Sequence, residues 1–144
     1  KNMNDSTKDV RAYIYGLLDD NIIYDASAVP VVAKATDQTT YPFIVVQATG
    51  LVDDPLKDRF GGVYEVQVQV HTKYPLNYGG QDDCDDISNL ILQQIRGRNP
   101  TSDFGTDTMY IFKQTTQRYL DDDDGQYEYF TKILVFEANV ISDG

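Results

Sequence analysis

One histidine, one cysteine and a run of four aspartates are the residues of this 144-residue chain whose chemistry is tested first. His71 could act as a general base only beside a positioned nucleophile and an orienting third group. The sequence has no Gly-x-Ser-x-Gly turn, and Cys84 falls on the apolar stripe of an expected helix. A core cysteine and a strand-surface histidine account for both residues. Zinc takes several Cys or His ligands, whereas this chain has one of each, thirteen positions apart. The run Asp121-Asp122-Asp123-Asp124-Gly125 invites a calcium-loop reading. With Gly125 at the sixth loop position, the first is Leu120 and the twelfth Thr131, so only Asp122 and Asp124 fit and the pattern fails. Gly61-Gly62 and Gly79-Gly80 lack the Gly-Lys-Ser/Thr ending of a phosphate loop. An enzyme built on carboxylates such as Asp53 or Asp58 would need a concave pocket with perturbed pKa values. The expectation is a protein that is not an enzyme, with no metal and no cofactor.

The elements that would carry these residues follow from periodicity. Val10, Ile14, Leu17 and Leu18 make one apolar stripe of a helix that Asp5, Ser6 or Thr7 can cap and that fades at Asp19-Asp20-Asn21. Gly16 lowers its helicity and would permit close packing. Ala28 to Lys34 leans to a strand with Pro30 at an edge. Tyr41 to Gln47 is a continuous apolar run, which implies burial on both faces. Gly50 to Gly62 reads as a long polar loop. Tyr64, Val66, Val68 and Val70 then alternate with Glu65, Gln67, Gln69 and His71, as a sheet with one wet face requires. Tyr74 to Gly80 reads as a turn. A second helix covers Asp82 to Arg96, with acidic residues in its first turn and Cys84, Ile87, Ile91 and Ile95 as its stripe. Asn99 to Thr108 reads as a loop, Met109 to Thr116 as a strand, Leu120 to Gly125 as an acidic turn and Tyr127 to Ile141 as a long last strand in a hairpin. The expected fold is one α+β domain over 1–144: a single four- to five-stranded antiparallel or mixed sheet with two helices on one face.

Composition sets the partners. The formal net charge is −11, which disfavours a grip on phosphates or on an anionic membrane surface. The chain has no apolar run of transmembrane length, and its first residues are polar. One cysteine excludes an intrachain disulfide and suits a reducing compartment. Eleven tyrosines without a tryptophan suit half-buried strands and subunit contacts.

Taken together, the segments VRAYIYGLLDD, IIYDASAVP, TYPFIVVQ, YEVQVQVHT, DDISNLILQQI and QTTQRYLDDDDGQYEYFTKILVFEANV carry a resemblance. From about Val10 to Val140 the chain resembles the tail terminator (tail completion) proteins of long-tailed bacteriophages. The resemblance implies a homo-hexameric ring in the virion, assembled in the host cytoplasm. That ring would cap the head-proximal end of the tail tube, stop its polymerisation and join it to the head–tail connector or neck protein. DNA would pass through the lumen without specific binding, and no cofactor or catalysis is implied. Asp53, Asp54, Lys57, Asp58, Arg59 and Phe60 are the candidate partner-binding loop. Glu65, Gln67, Gln69 and Asp121, Asp122, Asp123 and Asp124 are candidates for the lumen or the subunit interface, where acidity would repel DNA in transit. Two other classes remain open: a head-completion or neck protein, and an acidic module that mimics nucleic acid and binds a basic partner in a salt-sensitive way.

Overall fold

Val10, Ile14 and Leu18 recur at helical spacing, and all three are fully buried along helix α1 (Thr7–Leu18). The helix ends as Asp20 turns into the left-handed region (φ 59°). Its last carbonyls are satisfied from outside: the Leu17 carbonyl accepts from Asn21 Nδ2 and from Gln94 Nε2, each at 3.0 Å. The computed structural model of the chain describes residues 7–34, 36, 39–53, 60–76, 81–98, 102–104 and 107–142. Asp5 and Ser6, the candidate caps, lie outside them.

After α1 the chain makes a small hairpin of β1 (Ile23–Tyr24) and β2 (Ser27–Ala28). Asp25 and Ala26 both have positive φ, which is the backbone that a two-residue turn needs to match strand twist. The main sheet follows: β3 (Val31–Val32), β4 (Phe43–Asp53), β5 (Phe60–Pro75), β6 (Ser102–Phe104), β7 (Asp107–Asp123) and β8 (Tyr127–Ser142), in the order β3-β4-β5-β8-β7-β6. Only β3 runs parallel to its neighbour, so the sheet is mixed. Helix α2 (Gln81–Arg98) crosses from β5 to the β6–β7 side.

The register explains the core. Ile44, Val70 and Lys132 share one row, Val46, Val68 and Leu134 the next, and Ala48, Val66 and Phe136 the third. The apolar members of these rows join Val10, Ile14 and Leu18 of α1 and Cys84, Ile87, Ile91 and Ile95 of α2 in one buried cluster. Lys132 sits among them because its Nζ reaches Asp85 on α2 at 2.9 Å. Ser88, buried in α2, donates to the Cys84 carbonyl at 2.7 Å, and the Tyr15 hydroxyl donates to the Val31 carbonyl at 2.8 Å.

The α+β class and the long strands are as expected; several boundaries are not. β4 runs on to Asp53 and β5 begins at Phe60, so the expected Gly50–Gly62 loop shrinks to 54–59, which lies outside the described residues. Ala28 to Lys34 contributes only the two-residue β3, and Asn99 to Thr108 contains the three-residue β6, which raises the sheet to six strands. β7 continues through Asp123, so the expected acidic turn is mostly strand. Gly16 is exposed, and a Cβ added there meets nothing within 4 Å, so it permits no close packing. The face away from the helices is not simply wet: Phe43, Val45, Ile133 and Val135 on it are buried.

Two substitutions test this packing. Leu134→Ala, at a fully buried position in the middle of β8, should cost about 2–5 kcal/mol in urea unfolding with an unchanged m-value. Gly16→Ala should raise stability by about 1 kcal/mol in the same assay, and any loss would mean that the glycine is needed.

Candidate functional site

Alternation along β5 places Glu65, Gln67, Gln69 and His71 on the face away from the helices. They form one ladder. Gln67 Nε2 donates to Glu65 Oε2 at 3.1 Å, Gln69 Nε2 to Gln67 Oε1 at 3.4 Å and to Gln47 Oε1 at 3.3 Å. His71 Nε2 donates to Gln69 Oε1 at 2.9 Å, and the Thr131 hydroxyl is hydrogen-bonded to His71 Nδ1 at 3.1 Å. Along β5 the bonds from His71 through Gln69 and Gln67 run toward the Glu65 carboxylate and polarise one another in one sense, with a branch from Gln69 to Gln47. Burial lowers the pKa of His71 below the ordinary 6.5, and the Phe43 ring stacks on it with centroids 4.8 Å apart. Its partners are an amide and a hydroxyl, and Cys84 is buried on the opposite face with its thiol beside Thr72 Oγ1 and raised by burial. The two residues do not form a dyad.

At the end of this face lies a tyrosine cluster. The Lys73 ammonium sits 4.2 Å from the Tyr127 ring centroid, 5.8 Å from Tyr41 and 5.9 Å from Tyr129. Tyr41, Tyr127 and Leu120 are exposed here, at 37%, 37% and 54%. The acidic run closes the adjoining hairpin. Asp124 Oδ1 accepts from the Gln126 and Tyr127 amides at 2.9 and 2.8 Å, and Oδ2 accepts from the Tyr129 hydroxyl at 2.7 Å. Asp123 Oδ1 accepts from Gly125, whose φ of 88° suits glycine, and Asp122 Oδ1 accepts from the Asp123 amide. Asp122, Asp123 and Asp124 thus build the turn, a task that the sequence reading left out.

On the helix side of the same end is a cleft of about 460 Å³, bordered by the β1–β2 hairpin, the cis Tyr41–Pro42 peptide, Thr72 to Tyr74 and Asp83. Asp83, in the first turn of α2, accepts from both the Tyr24 and the Tyr74 hydroxyls. The bond to Asp83 pushes the Tyr24 phenol up to about 12, and burial followed by the same bond raises Tyr74 strongly. No spacing in the sequence marks this triad, because its members come from three elements.

The expected site residues fall at the two ends of the sheet and along the strand between them. Asp53 and Phe60 end β4 and begin β5 at one end of the sheet, while Asp54, Lys57, Asp58 and Arg59 lie outside the described residues. Asp121 to Asp124 are at the other end. From Tyr127 to Ile141, β8 covers roughly 48 Å at the strand rise of about 3.4 Å per residue. The ladder of Glu65, Gln67 and Gln69 runs between the two ends, half-buried and bonded within itself. Among the described residues, no group of three or more His, Cys, Asp or Glu is placed to hold a metal ion, and no helix is long and apolar enough to cross a membrane. No family model and no curated protein matches the sequence.

The turn can be tested by titration. The Tyr129 hydroxyl and then the two amides hold the Asp124 carboxyl at about 2, below the ordinary 3.8, and Tyr129 is pushed up to about 12 in return. A depressed carboxylate favours the folded state above pH 3.8, and that contribution is lost as the pH falls through about 2. Carbon-detected NMR should find the Asp124 midpoint near 2, and Tyr129→Phe should move it upward. An unmoved midpoint would remove the hydroxyl from the account.

Proposed function

We propose that the chain is a structural virion subunit of the tail-terminator kind, not an enzyme, which closes into a homo-hexameric ring on the head-proximal end of a phage tail tube. The observation that carries this reading is the separation of the two candidate contact elements. β4 ends at Asp53 and β5 begins at Phe60 at one end of the long sheet, and the acidic hairpin with its exposed tyrosines caps the other. A terminator needs two such ends: one for the tube protein and one for the connector or neck protein. Exposed Tyr and Leu side chains at a polar rim are the composition of a contact patch. The charge of −11 per subunit fits a lumen through which DNA slides without being held. A head-completion or neck protein would use the same two ends on other partners, and an acidic binding module would need neither end to meet a ring.

Electron microscopy of assembled tail tubes mixed with the purified chain separates these readings. The expected result is a six-fold ring at one tip of each tube and an end to elongation there. Tubes that stay bare at both ends and keep growing would overturn the proposal. Arg59→Ala and Phe60→Ala should weaken capping at least tenfold if the β4–β5 end is the tube-facing one.

A further inference from the structure

The main sheet has two open edges. β3 pairs with β4 only at Ile44 and Val45, and β6 pairs with β7 only from Asp107 to Met109. Among the described residues, no strand pairs with the outer side of β4 from Val46 to Asp53 or of β7 from Tyr110 to Asp123. The helices pack on β4, β5 and β8. A row of unpaired N–H and C=O groups of this length is a template for another strand. Gln47, Thr49 and Gly50 on one edge and Leu120 to Asp123 on the other are exposed.

The two edges fit each other. β4, β5, β8 and β7 are successively antiparallel, so β4 and β7 run in opposite directions. A copy set beside this one by rotation, its strands pointing the same way, brings its β4 antiparallel to β7. The hydrogen-bonding alternation matches as well. The Ile44 amide donates outward to the Pro30 carbonyl, so Val46, Ala48 and Gly50 also turn their backbone groups outward. Carried across the registers, the same alternation turns Tyr119, Asp121 and Asp123 outward on β7. Pairing Val46 with Asp123, Ala48 with Asp121 and Gly50 with Tyr119 joins outward groups to outward groups. It also sets Gln47 beside Asp122 and Thr49 beside Leu120, all on the face away from the helices. Both stretches avoid the irregularities at Gly50/Val52 in β4 and at Gln114/Thr116 in β7.

Side-chain chemistry and geometry favour a second copy as the occupant. Gln47 Oε1 accepts from Gln69, which leaves the Gln47 Nε2 protons for an acceptor, and the neighbour's exposed Asp122 carboxylate supplies it. The polar ladder of β5 then runs on across the seam. Within one copy Val46 is level with Gln117, through Val68 and Leu134. Setting it level with Asp123 of the neighbour displaces each copy by six residues, Gln117 to Asp123, across six strands. One residue per strand is the ratio of an eight-stranded barrel with a shear of eight, which closes with its strands tilted about 36°.

We propose that copies of this chain join edge to edge, β7 of one on β4 of the next, so that their sheets run into one another around a ring. The closure into a ring rests on the terminator reading; the pairing of the two edges does not.

The test is disulfide trapping of the full chain. Thr49 and Leu120 would meet as a non-hydrogen-bonded pair, with Cα atoms about 4.5 Å apart and within disulfide reach. Within one copy β5 and β8 lie between them. Chains carrying Thr49→Cys and Leu120→Cys together are oxidised on tail tubes and free in about 1 M salt, which screens the repulsion between acidic copies to about 3 Å. The expected product is a ladder of cross-linked species ending at the hexamer. A mixture of the two single variants should give dimers containing one of each. Asp121→Pro removes an outward N–H and no bond to β8, and should cut the yield at least about tenfold while the chain stays folded by circular dichroism. Leu120→Cys chains that cross-link to themselves as readily as to Thr49→Cys chains would mean that two β7 edges meet, and would overturn the proposal. So would the absence of cross-links on tubes that the double variant caps, or their absence in solution if it caps none. A ladder formed while the tubes stay bare would uphold the seam and remove the terminator reading.

Discussion

Strand β5 is the constraint on which the rest of the molecule depends. Both of its neighbours pair with it over most of its length, β4 from Gly62 to His71 and β8 from Phe60 to Pro75. Its period of two sends Tyr64, Val66, Val68 and Val70 to the helices and Glu65, Gln67, Gln69 and His71 to the other side. A slip of one residue would put the glutamines against Ile44, Leu134 and the helix stripes, with their amides unpaired in an apolar cluster. Both hairpins and both helices are therefore placed by the alternation of one segment. Where α2 begins follows as well, since Thr72 and Tyr74 meet Cys84 and Asp83 directly after the strand ends.

The polar side of β5 is ordered by the same alternation. Gln and Glu at every second position stand about 7 Å apart, close enough for amide to reach amide along the strand. The ladder that results is bonded end to end and lies between buried Val45 and Ile133, its cross-strand neighbours at Gln69. A surface of this kind carries little unsatisfied polarity, which fits the proposed role of a scaffold between two contact ends. The chemistry gathers where the strands finish: Lys73 among three tyrosines, Asp124 closing its turn, and Asp83 between two phenols.

Much of this was legible in the residues. The stripes Val10-Ile14-Leu18 and Cys84-Ile87-Ile91-Ile95 and the alternation from Tyr64 to Val70 are periodic over many residues, and the structure uses them as read. The run Phe43 to Val46 is buried on both faces, as a continuous apolar run implies. The two- and three-residue strands β1, β2 and β6 carry no period at all, so nothing local announces them, whereas β3 falls within the strand expected at Ala28 to Lys34. β7 extends through Asp121 to Asp123 against the low strand preference of aspartate, because β8 opposite it supplies partners as far as Glu128. The Tyr24–Asp83–Tyr74 triad joins residues up to 59 positions apart, and the tyrosine count suggested contacts without saying which. Asp124 looked like a free surface charge, and only the turn geometry shows that it is spent on three donors.

The central claim is that this chain ends a polymer. The most direct measurement is the length distribution of tail tubes, by electron microscopy, from cells infected by the source virus with and without the gene for this chain. The account predicts tubes of one length when the chain is present and a broad spread of overlong tubes when it is not, with uniform length restored by supplying the chain from a plasmid. Tubes of normal, uniform length in its absence would contradict it.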